Sequence, residues 1–236
     1  YRSMCRGESR VIVAHTEAVA KALRAYGIKN IARCEYPAFD FASIVGRDSA
    51  TAKEKMGVPS KVPVIGIIGG MSSYKNIIPF LETMQNCSVN FHLLICGRTG
   101  EISEDDIRSV SEPYKDRVTL KLKYLSGDEY EEAIAASDII YCIYGHEFNG
   151  ASGPLTDGVC AKKIILSCSH GSLGAIVREN ALGFTAECDD RADMLSKTER
   201  ALHLVGSFHY NDAALKYRER LNPVLFQKTY KKIYEN

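Results

Sequence analysis

The feature that most constrains the fold is a regular alternation of short apolar runs with longer amphipathic stretches. Six runs rich in aliphatic and β-branched residues predict strands at 62–69, 89–96, 118–124, 138–144, 163–168 and 183–188. Stretches of helical length and spacing lie between or after them, at 75–86, 104–113, 127–136, 154–161, 173–180 and 191–205. This alternation is typical of a parallel sheet covered by helices on both faces. The sequence therefore predicts an α/β fold, a Rossmann-like doubly wound parallel sheet.

Shorter patterns flank this core. Upstream, residues 10–15 and 30–36 predict strands around a helix at 16–26 that Thr16 caps. Residues 37–61 have the composition of a connection that carries one short helix, and residues 211–221 and 223–234 predict two closing helices. We expect three parts: residues 1–45 as the end of an N-terminal domain and a linker, 46–210 as the Rossmann-like domain, and 211–236 as helices that cross back to the N-terminal domain.

Charge and hydropathy exclude several classes of partner. Thirty basic and 29 acidic residues leave a net charge of +1, so no global field selects nucleic acid or an anionic membrane. The longest apolar runs are far shorter than the roughly 20 residues of a transmembrane helix, and residues 1–10 show no signal sequence. We expect no nucleic-acid partner, no transmembrane segment, and a cytoplasmic location, with peripheral attachment to a membrane as the alternative.

The cysteines predict neither a disulfide framework nor a metal centre. The chain has eight cysteines, none in a CxxC pair, and several lie inside apolar runs. An α/β chain of this size needs no covalent crosslinks, so we expect reduced core thiols. Cys168 and His170 lie close together but no second pair follows at ligand spacing, and we expect no metal.

Ligands of an open parallel sheet bind beyond the carboxyl ends of its strands, so the loops after the strands are the candidate sites. The loop at 69–76 holds Gly69, Gly70 and Lys75. The two glycines allow close approach of a ligand, and a lysine at a helix N-terminus is suited to a phosphate. The alternative is a tight turn with a solvated lysine.

In the next loop, Arg98 follows Gly97 and either reaches a phosphate or points into water.

The loop at 144–157 is the most informative of these loops. It crosses His146 and Glu147 and enters a helix through Ser152, Gly153 and Pro154. Unpaired amides at such a helix start attract an anion, and proline in the first turn sacrifices no needed N–H. His146 and Glu147 are candidates for contacts to sugar hydroxyls. The alternative is a plain helix cap with a solvated glutamate, which is also the simplest interpretation of the small-residue loop at 167–177.

The order of these segments carries a resemblance to a known family. An IGG-x4-KN loop, an LLICG strand end, the stretch KLKYLSGDEYEEAIAASDIIYCIY, an E-x5-G helix start and SHGSLGAIVRENALGF follow one another over about residues 60–205. This order is similar to the C-terminal domain of GT-B retaining glycosyltransferases of the family-4 type. Each motif is loose, and their order is the specific signal.

The resemblance implies roles for individual residues. Lys75 resembles the lysine that binds the donor diphosphate, and Glu147 resembles the first acidic residue that touches the donor sugar. Tyr124 and Leu125 lie where the family contacts the base, and the helix start formed by Ser152, Gly153, Pro154 and Leu155 is similar to the one whose amides hold the phosphate. Two family ligands differ here: the usual arginine is Gly70, and the ribose-binding glutamate aligns with Thr156 or Asp157.

From this resemblance we expect a retaining, metal-independent glycosyltransferase of glycan or polysaccharide synthesis. A nucleoside-diphosphate sugar would be the donor substrate, a glycan or lipid-linked molecule the acceptor, and no cofactor would be needed. Cations and the backbone amides at a helix start would stabilise the diphosphate leaving group, and no covalent nucleophile would be needed. The catalytic candidates are Lys75 and Glu147, with Arg98 in place of the missing cation.

Two alternatives remain open at this point. The first is a non-catalytic nucleotide-sugar-binding module or a split subunit that works with a partner chain or by self-association. Under either function, we expect the 236 residues to bind donor but to need a complementing N-terminal region for transfer. The second is a dinucleotide-dependent dehydrogenase, which the spacing of Gly66, Gly69 and Gly70 disfavours because it does not match the fingerprint of that fold.

Overall fold

The computed structural model describes residues 11–38 and 40–235, which form eight strands and eleven α-helices. Six strands make a parallel sheet in the order β5-β4-β3-β6-β7-β8, flanked by helices. This is the strand order of a doubly wound Rossmann-like sheet and confirms the predicted fold class.

The strands are shorter than their apolar runs, because the ends of those runs turn into the loops at the sheet edges. Their bounds are β1 Ile12–Ala14, β2 Ile31–Arg33, β3 Val64–Ile68, β4 His92–Cys96, β5 Val118–Lys121, β6 Ile139–Cys142, β7 Ile164–Cys168 and β8 Gly183–Ala186. Every residue of the four central strands, β3, β4, β6 and β7, is buried, as expected for strands covered on both faces.

The helices follow the predicted stretches closely. Their bounds are α1 Glu17–Ala25, α2 Phe41–Gly46, α3 Ser49–Met56, α4 Ile77–Met84, α5 Glu104–Ser111, α6 Gly127–Ala136, α7 Gly153–Cys160, α8 Gly171–Glu179, α9 Arg191–Leu204, α10 Asp212–Arg220 and α11 Pro223–Glu235. Short polar side chains fix several starts, since Thr16, Ser126 and Ser152 each accept a hydrogen bond from a backbone N–H of the first turn.

Two helix predictions were wrong in detail. The connection at 37–61 holds two helices, α2 and α3, because Asp48 caps a new helix by accepting a hydrogen bond from Thr51 N, at 2.8 Å. The helix predicted at 75–86 begins only at Ile77. Lys75 instead ends a 3₁₀ turn, and Asn76 interrupts the helical path in the left-handed conformation, with φ at 54°.

The connection is anchored to the main sheet by charge. Arg47 forms salt bridges with three carboxylates of α6, those of Asp128, Glu131 and Glu132. These bonds raise the pKa of the Arg47 guanidinium. Lys53 lies 2.8 Å from Asp138, whose carboxylate also accepts a hydrogen bond from Val64 N at the start of β3. These ion pairs therefore hold the connection against α6 and the start of β6.

The first two strands form their own sheet. β1 and β2 pair in parallel as a two-stranded sheet, and the predicted strand over 10–15 is observed from residue 12, with Arg10 outside the described residues. The C-terminal segment contacts the connection and α7: Leu221 O, just after α10, accepts a hydrogen bond from Ala38 N at 3.0 Å, and Arg218 Nε donates to Cys160 O at 2.7 Å.

The cysteines of the described residues are thiols, as predicted. Six of the seven are buried, namely Cys34, Cys96, Cys142, Cys160, Cys168 and Cys188, and Cys87 is half-buried. Cys5 lies outside the described residues. None of the helices formed by residues 11–38 and 40–235 combines the length and apolar character needed to cross a membrane.

Candidate functional site

A cavity of about 510 Å³ opens at the carboxyl edge of the sheet, beside the strand where the order reverses. β3 pairs with β4 on one side and with β6 on the other. The connections that follow β3 and β6 therefore run in opposite directions from the centre of the sheet. Such a switch point is where open α/β sheets bind ligands. The cavity is lined by Asp40, Gly69, Gly70, Gly97, Arg98, Tyr124, Leu125, Ser126, Gly127 and Tyr130.

Five predicted donor-binding residues meet in this cavity: Gly69, Gly70, Arg98, Tyr124 and Leu125. They come from the loops after three adjacent strands, β3, β4 and β5, whose carboxyl ends lie side by side. A volume of this size lies in the range typical of small-molecule sites. The structure thus brings together residues that the sequence singled out in three separate segments.

Bare backbone forms part of the cavity wall. Gly97 has φ of 135°, and a β-carbon there would lie 2.2 Å from Gly69 O, so the two loops touch without side chains. Gly69 N donates to Cys96 O at 2.8 Å, and Gly97 N donates to Lys121 O at 3.1 Å. These bonds hold the loop ends against the sheet and keep the two glycine loops in direct backbone contact.

Lys75 lies behind this glycine wall rather than in the cavity. Its side chain is buried, and Nζ donates to Ile68 O at 2.9 Å. The ammonium also lies 5.9 Å from the centroid of the Tyr144 ring, a cation–π arrangement. Burial lowers the Lys75 pKa to about 8, so the lysine is still mainly charged at neutral pH. The alternative of a solvated lysine is wrong.

Two exposed side chains stand at the cavity mouth. Arg98 is exposed, and its guanidinium has no ion-pair partner among the described residues. Its backbone carbonyl accepts a hydrogen bond from Met71 N at 3.0 Å, which ties the two glycine loops together. The Tyr124 side chain is 83% exposed, which leaves its ring free to contact a planar ligand. A cation and an aromatic ring are thus available at the same opening.

The helix start at 152–156 lies near the cavity but does not line it. Ser152 caps α7, accepting a hydrogen bond from Leu155 N, and its hydroxyl also lies 3.2 Å from Tyr144 Oη. Thr156 is buried and donates to Ser152 O at 3.0 Å. Pro154 occupies the first turn, as predicted.

Tyr130 connects this helix to the cavity, and the sequence reasoning missed it. Tyr130 lines the cavity from α6, and its hydroxyl donates to Asp157 Oδ2 at 2.7 Å. A β-carbon on Gly153 would lie 3.8 Å from the same hydroxyl. Burial raises the pKa of Asp157 to about 6 and also raises that of Tyr130. The signal that could have found Tyr130 is its position one turn after Ser126, at the start of a helix on the same sheet edge.

His146 and Glu147 lie outside the cavity, on the far side of the switch point. Both are exposed. His146 Nε2 lies 3.0 Å from Asp189 Oδ2. The Glu147 carboxylate packs against Gly145, so that a β-carbon added to Gly145 would lie 2.6 Å from Glu147 Oε2. Their assigned contacts to a donor sugar stay predictions.

Comparisons with known proteins bear on the fold. No protein-family model matches the chain, and no curated protein matches its sequence. Solved structures do match. A glycosyltransferase from Rickettsia africae is 20% identical over 97% of this chain and 63% of that one, with a TM-score of 0.76. Sucrose-phosphate synthase from Thermosynechococcus elongatus is 13% identical over 95% of this chain and 57% of its own, also with a TM-score of 0.76.

A third similar structure contains ligands. Anabaena HepE in complex with UDP and glucose is 14% identical over 96% of this chain and 63% of that one, with a TM-score of 0.72. The chain therefore spans about three fifths of the length of the structures it matches. At these identities the likeness concerns the fold alone, and it agrees with the strand order observed. The described residues, 11–38 and 40–235, have the fold of the corresponding part of these GT-B glycosyltransferase structures, with a Rossmann-like domain at its centre.

Proposed function

We propose that the chain is the donor-binding part of a GT-B glycosyltransferase that takes a nucleoside-diphosphate sugar. The observation that carries the proposal is the cavity at the switch point, where Gly69, Gly70, Arg98, Tyr124 and Leu125 converge. HepE, which shares the fold, has been crystallised with UDP-glucose. The family-4 subtype, transfer with retention and a glycan or lipid-linked acceptor belong to the proposal.

The charges around the cavity suit a diphosphate. Arg98 offers a free guanidinium at the mouth, and Lys75 places a buried ammonium behind Gly69. A charge behind a thin backbone wall is poorly screened by water, so it acts on an anion over a longer distance than a surface lysine does. A leaving diphosphate gains negative charge as the glycosidic bond breaks, and fixed positive charge there lowers the barrier. Lys75 and Arg98 would thus neutralise the charge of the diphosphate, which a metal ion does in other transferases.

The rest of the donor can be assigned to the same cavity. Tyr124 and Leu125 would contact the base, and the Tyr130–Asp157 pair would face the ribose. Glu147 and His146 would approach the sugar from the loop after β6. The helix start from Ser152 to Leu155 would approach the phosphates, which requires it to shift toward the cavity or the donor to extend beyond it.

Calorimetry on the purified chain with UDP, GDP, ADP and dTDP and their glucose conjugates tests the proposal. We expect one diphosphate to bind at one site per chain and its sugar conjugate to bind at the same site. The variant Gly70→Trp, which fills the cavity mouth, should abolish binding, while Gly127→Ala should not. Absence of binding by every diphosphate would contradict the proposal.

A non-catalytic binding module is the second candidate. Gly70 replaces the cation of the family motif, and Thr156 or Asp157 replaces the ribose-binding glutamate. Donor hydrolysis separates the two candidates. Release of free sugar from the bound donor, reduced in Lys75→Met, favours the enzyme, whereas tight binding without hydrolysis favours the module.

A further inference from the structure

Three loops at the other half of the sheet edge bring together two histidines and a cysteine. His146 follows β6, His170 follows β7 and Cys188 follows β8. These strands are neighbours in the parallel sheet, so their carboxyl ends lie side by side. One ligand atom from each residue lies within 4.8 Å of the others, and the two imidazole centroids are 4.1 Å apart.

The distances suit a single metal ion. Cys188 Sγ lies 3.5 Å from His170 Nε2. In a tetrahedral zinc site with Zn–S near 2.3 Å and Zn–N near 2.05 Å, the sulfur and nitrogen are about 3.6 Å apart. A thiolate with two imidazoles is a borderline-soft donor set, which favours Zn²⁺ or Co²⁺ over Mg²⁺ or Ca²⁺.

A fourth oxygen donor is close to the cluster. Asp189 Oδ2 lies 3.0 Å from His146 Nε2, and Oδ1 lies 3.6 Å from Cys188 Sγ. The Asp189 side chain is 80% exposed, so it can turn toward an ion without disturbing the core. Its negative charge favours a cation between the two histidines and the thiol.

The backbone holds two of the ligands in place. Cys188 is buried, and its carbonyl accepts a hydrogen bond from Asn76 Nδ2 at 2.8 Å. His170 stands at the start of α8, and its carbonyl lies 3.6 Å from Cys168 Sγ. His170 Nε2 also lies 3.1 Å from Tyr144 O, a contact that metal ligation through Nε2 would replace. His146 and Asp189 are the exposed members of the set and can adjust when an ion binds.

We propose that His146, His170 and Cys188 bind one zinc-type transition-metal ion, with Asp189 as the fourth ligand. The ion would join the loops that follow β6, β7 and β8. This site lies outside the cavity described above, and the proposal runs counter to the expectation, drawn from sequence spacing, that the chain binds no metal. Its test reads metal binding itself and does not depend on sugar transfer.

The test uses the full chain, reduced and stripped of metal with a chelator, and titrates it with Co²⁺ and then with Zn²⁺. We expect one equivalent of Co²⁺ to produce thiolate-to-cobalt absorption and the visible bands of a tetrahedral ion, and Zn²⁺ to abolish both. Cys188→Ser should remove the thiolate absorption. His146→Gln and His170→Gln should weaken binding by at least about tenfold, the lower end of the cost of changing even an outer-shell partner.

Matched controls separate this site from adventitious binding. Cys87→Ser removes a half-buried thiol that lies outside the cluster, and His203→Gln removes an exposed histidine elsewhere. Both should bind Co²⁺ like the parent chain. Because His146 is exposed, its variant stays informative even if Cys188→Ser fails to fold. Binding that lacks thiolate absorption, that is undiminished in His146→Gln, or that is lost equally in the controls would overturn the proposal, as would a lack of binding.

Discussion

The ammonium nitrogen of Lys75 lies directly behind Gly69, where a β-carbon would come within 2.9 Å of Nζ. Gly69 also lines the cavity, so the buried ammonium lies next to a residue of the cavity wall. Any side chain at residue 69 would also meet the unfavourable φ of 100°. The position of the Lys75 ammonium and the backbone conformation both favour a residue without a side chain at position 69.

Replacing Lys75 with Met should weaken UDP binding much more than uridine binding. Loss of an interaction with a charged group is worth about 1.5–3 kcal/mol, or roughly a ten- to hundredfold loss of affinity. Lys163 provides a control, since it is half-buried with its pKa also lowered to about 8 but donates to Ala135 O, away from the cavity. Lys163→Met should leave both affinities unchanged. Equal losses for UDP and uridine in Lys75→Met would remove Lys75 from the phosphate site.

The affinity for UDP should fall as the pH rises through about 8. Burial lowers the Lys75 pKa to this value, so the side chain is charged below it and neutral above it. A bound diphosphate favours the charged form, so binding weakens as the proton is lost. Calorimetry at pH 7 and pH 9 measures the effect. If Lys75→Met shows the same pH dependence as the parent chain, another group is responsible.

Arg98→Ala should weaken UDP binding by roughly tenfold or more, because a charge-assisted phosphate contact is lost. A second change tests the role directly. The nearest atom to a β-carbon on Gly70 is Arg98 O at 3.9 Å, so residue 70 accepts a side chain. The double variant Gly70→Arg with Arg98→Ala should recover much of the lost affinity. A double variant no better than Arg98→Ala alone would show that the two positions do not serve one ligand.

Asp157→Asn should reduce the preference for UDP over 2′-deoxy-UDP, and Thr156→Ser should not. Asp157 reaches the cavity through Tyr130, whereas the Thr156 hydroxyl is buried and donates to Ser152 O. Tyr130→Phe, which removes the link, should behave like Asp157→Asn. Comparing the two nucleotides by calorimetry decides the question. An unchanged preference in both variants places the ribose elsewhere.

Asp157→Asn should also be more stable than the parent chain at neutral pH. Burial raises the Asp157 pKa to about 6, so the folded chain loses stability as the pH rises from about 4 to 6. A shift of roughly two units corresponds to at most about 3 kcal/mol. Urea unfolding at pH 4 and pH 7 should show the variant gaining only at the higher pH. An equal effect at both values would mean that ionisation of Asp157 is not the cause.

Local pattern was sufficient to predict most elements of this chain. The apolar runs around Val64–Ile68 and Ile164–Cys168 bury every residue, and only a strand covered on both faces needs such a run. The start of α6 was predicted at its observed residue because Ser126 caps it by a bond three residues along the chain. The second helix of the connection was missed because its cap, Asp48, lies in a stretch with a weak apolar pattern.

The sequence by itself determined the strands, the helices, their alternation and thereby the fold class, because apolar period and capping act over a few residues. It also placed Gly69 and Arg98 in loops at one sheet edge. Tertiary structure alone decided which loops meet, since strand order depends on packing between distant segments. It turned Lys75 inward behind Gly69, coupled Tyr130 to Asp157, and gathered His146, His170 and Cys188. The Tyr130–Asp157 pair and the cluster of His146, His170 and Cys188 leave no local trace in the sequence, because each joins residues from different elements of the fold.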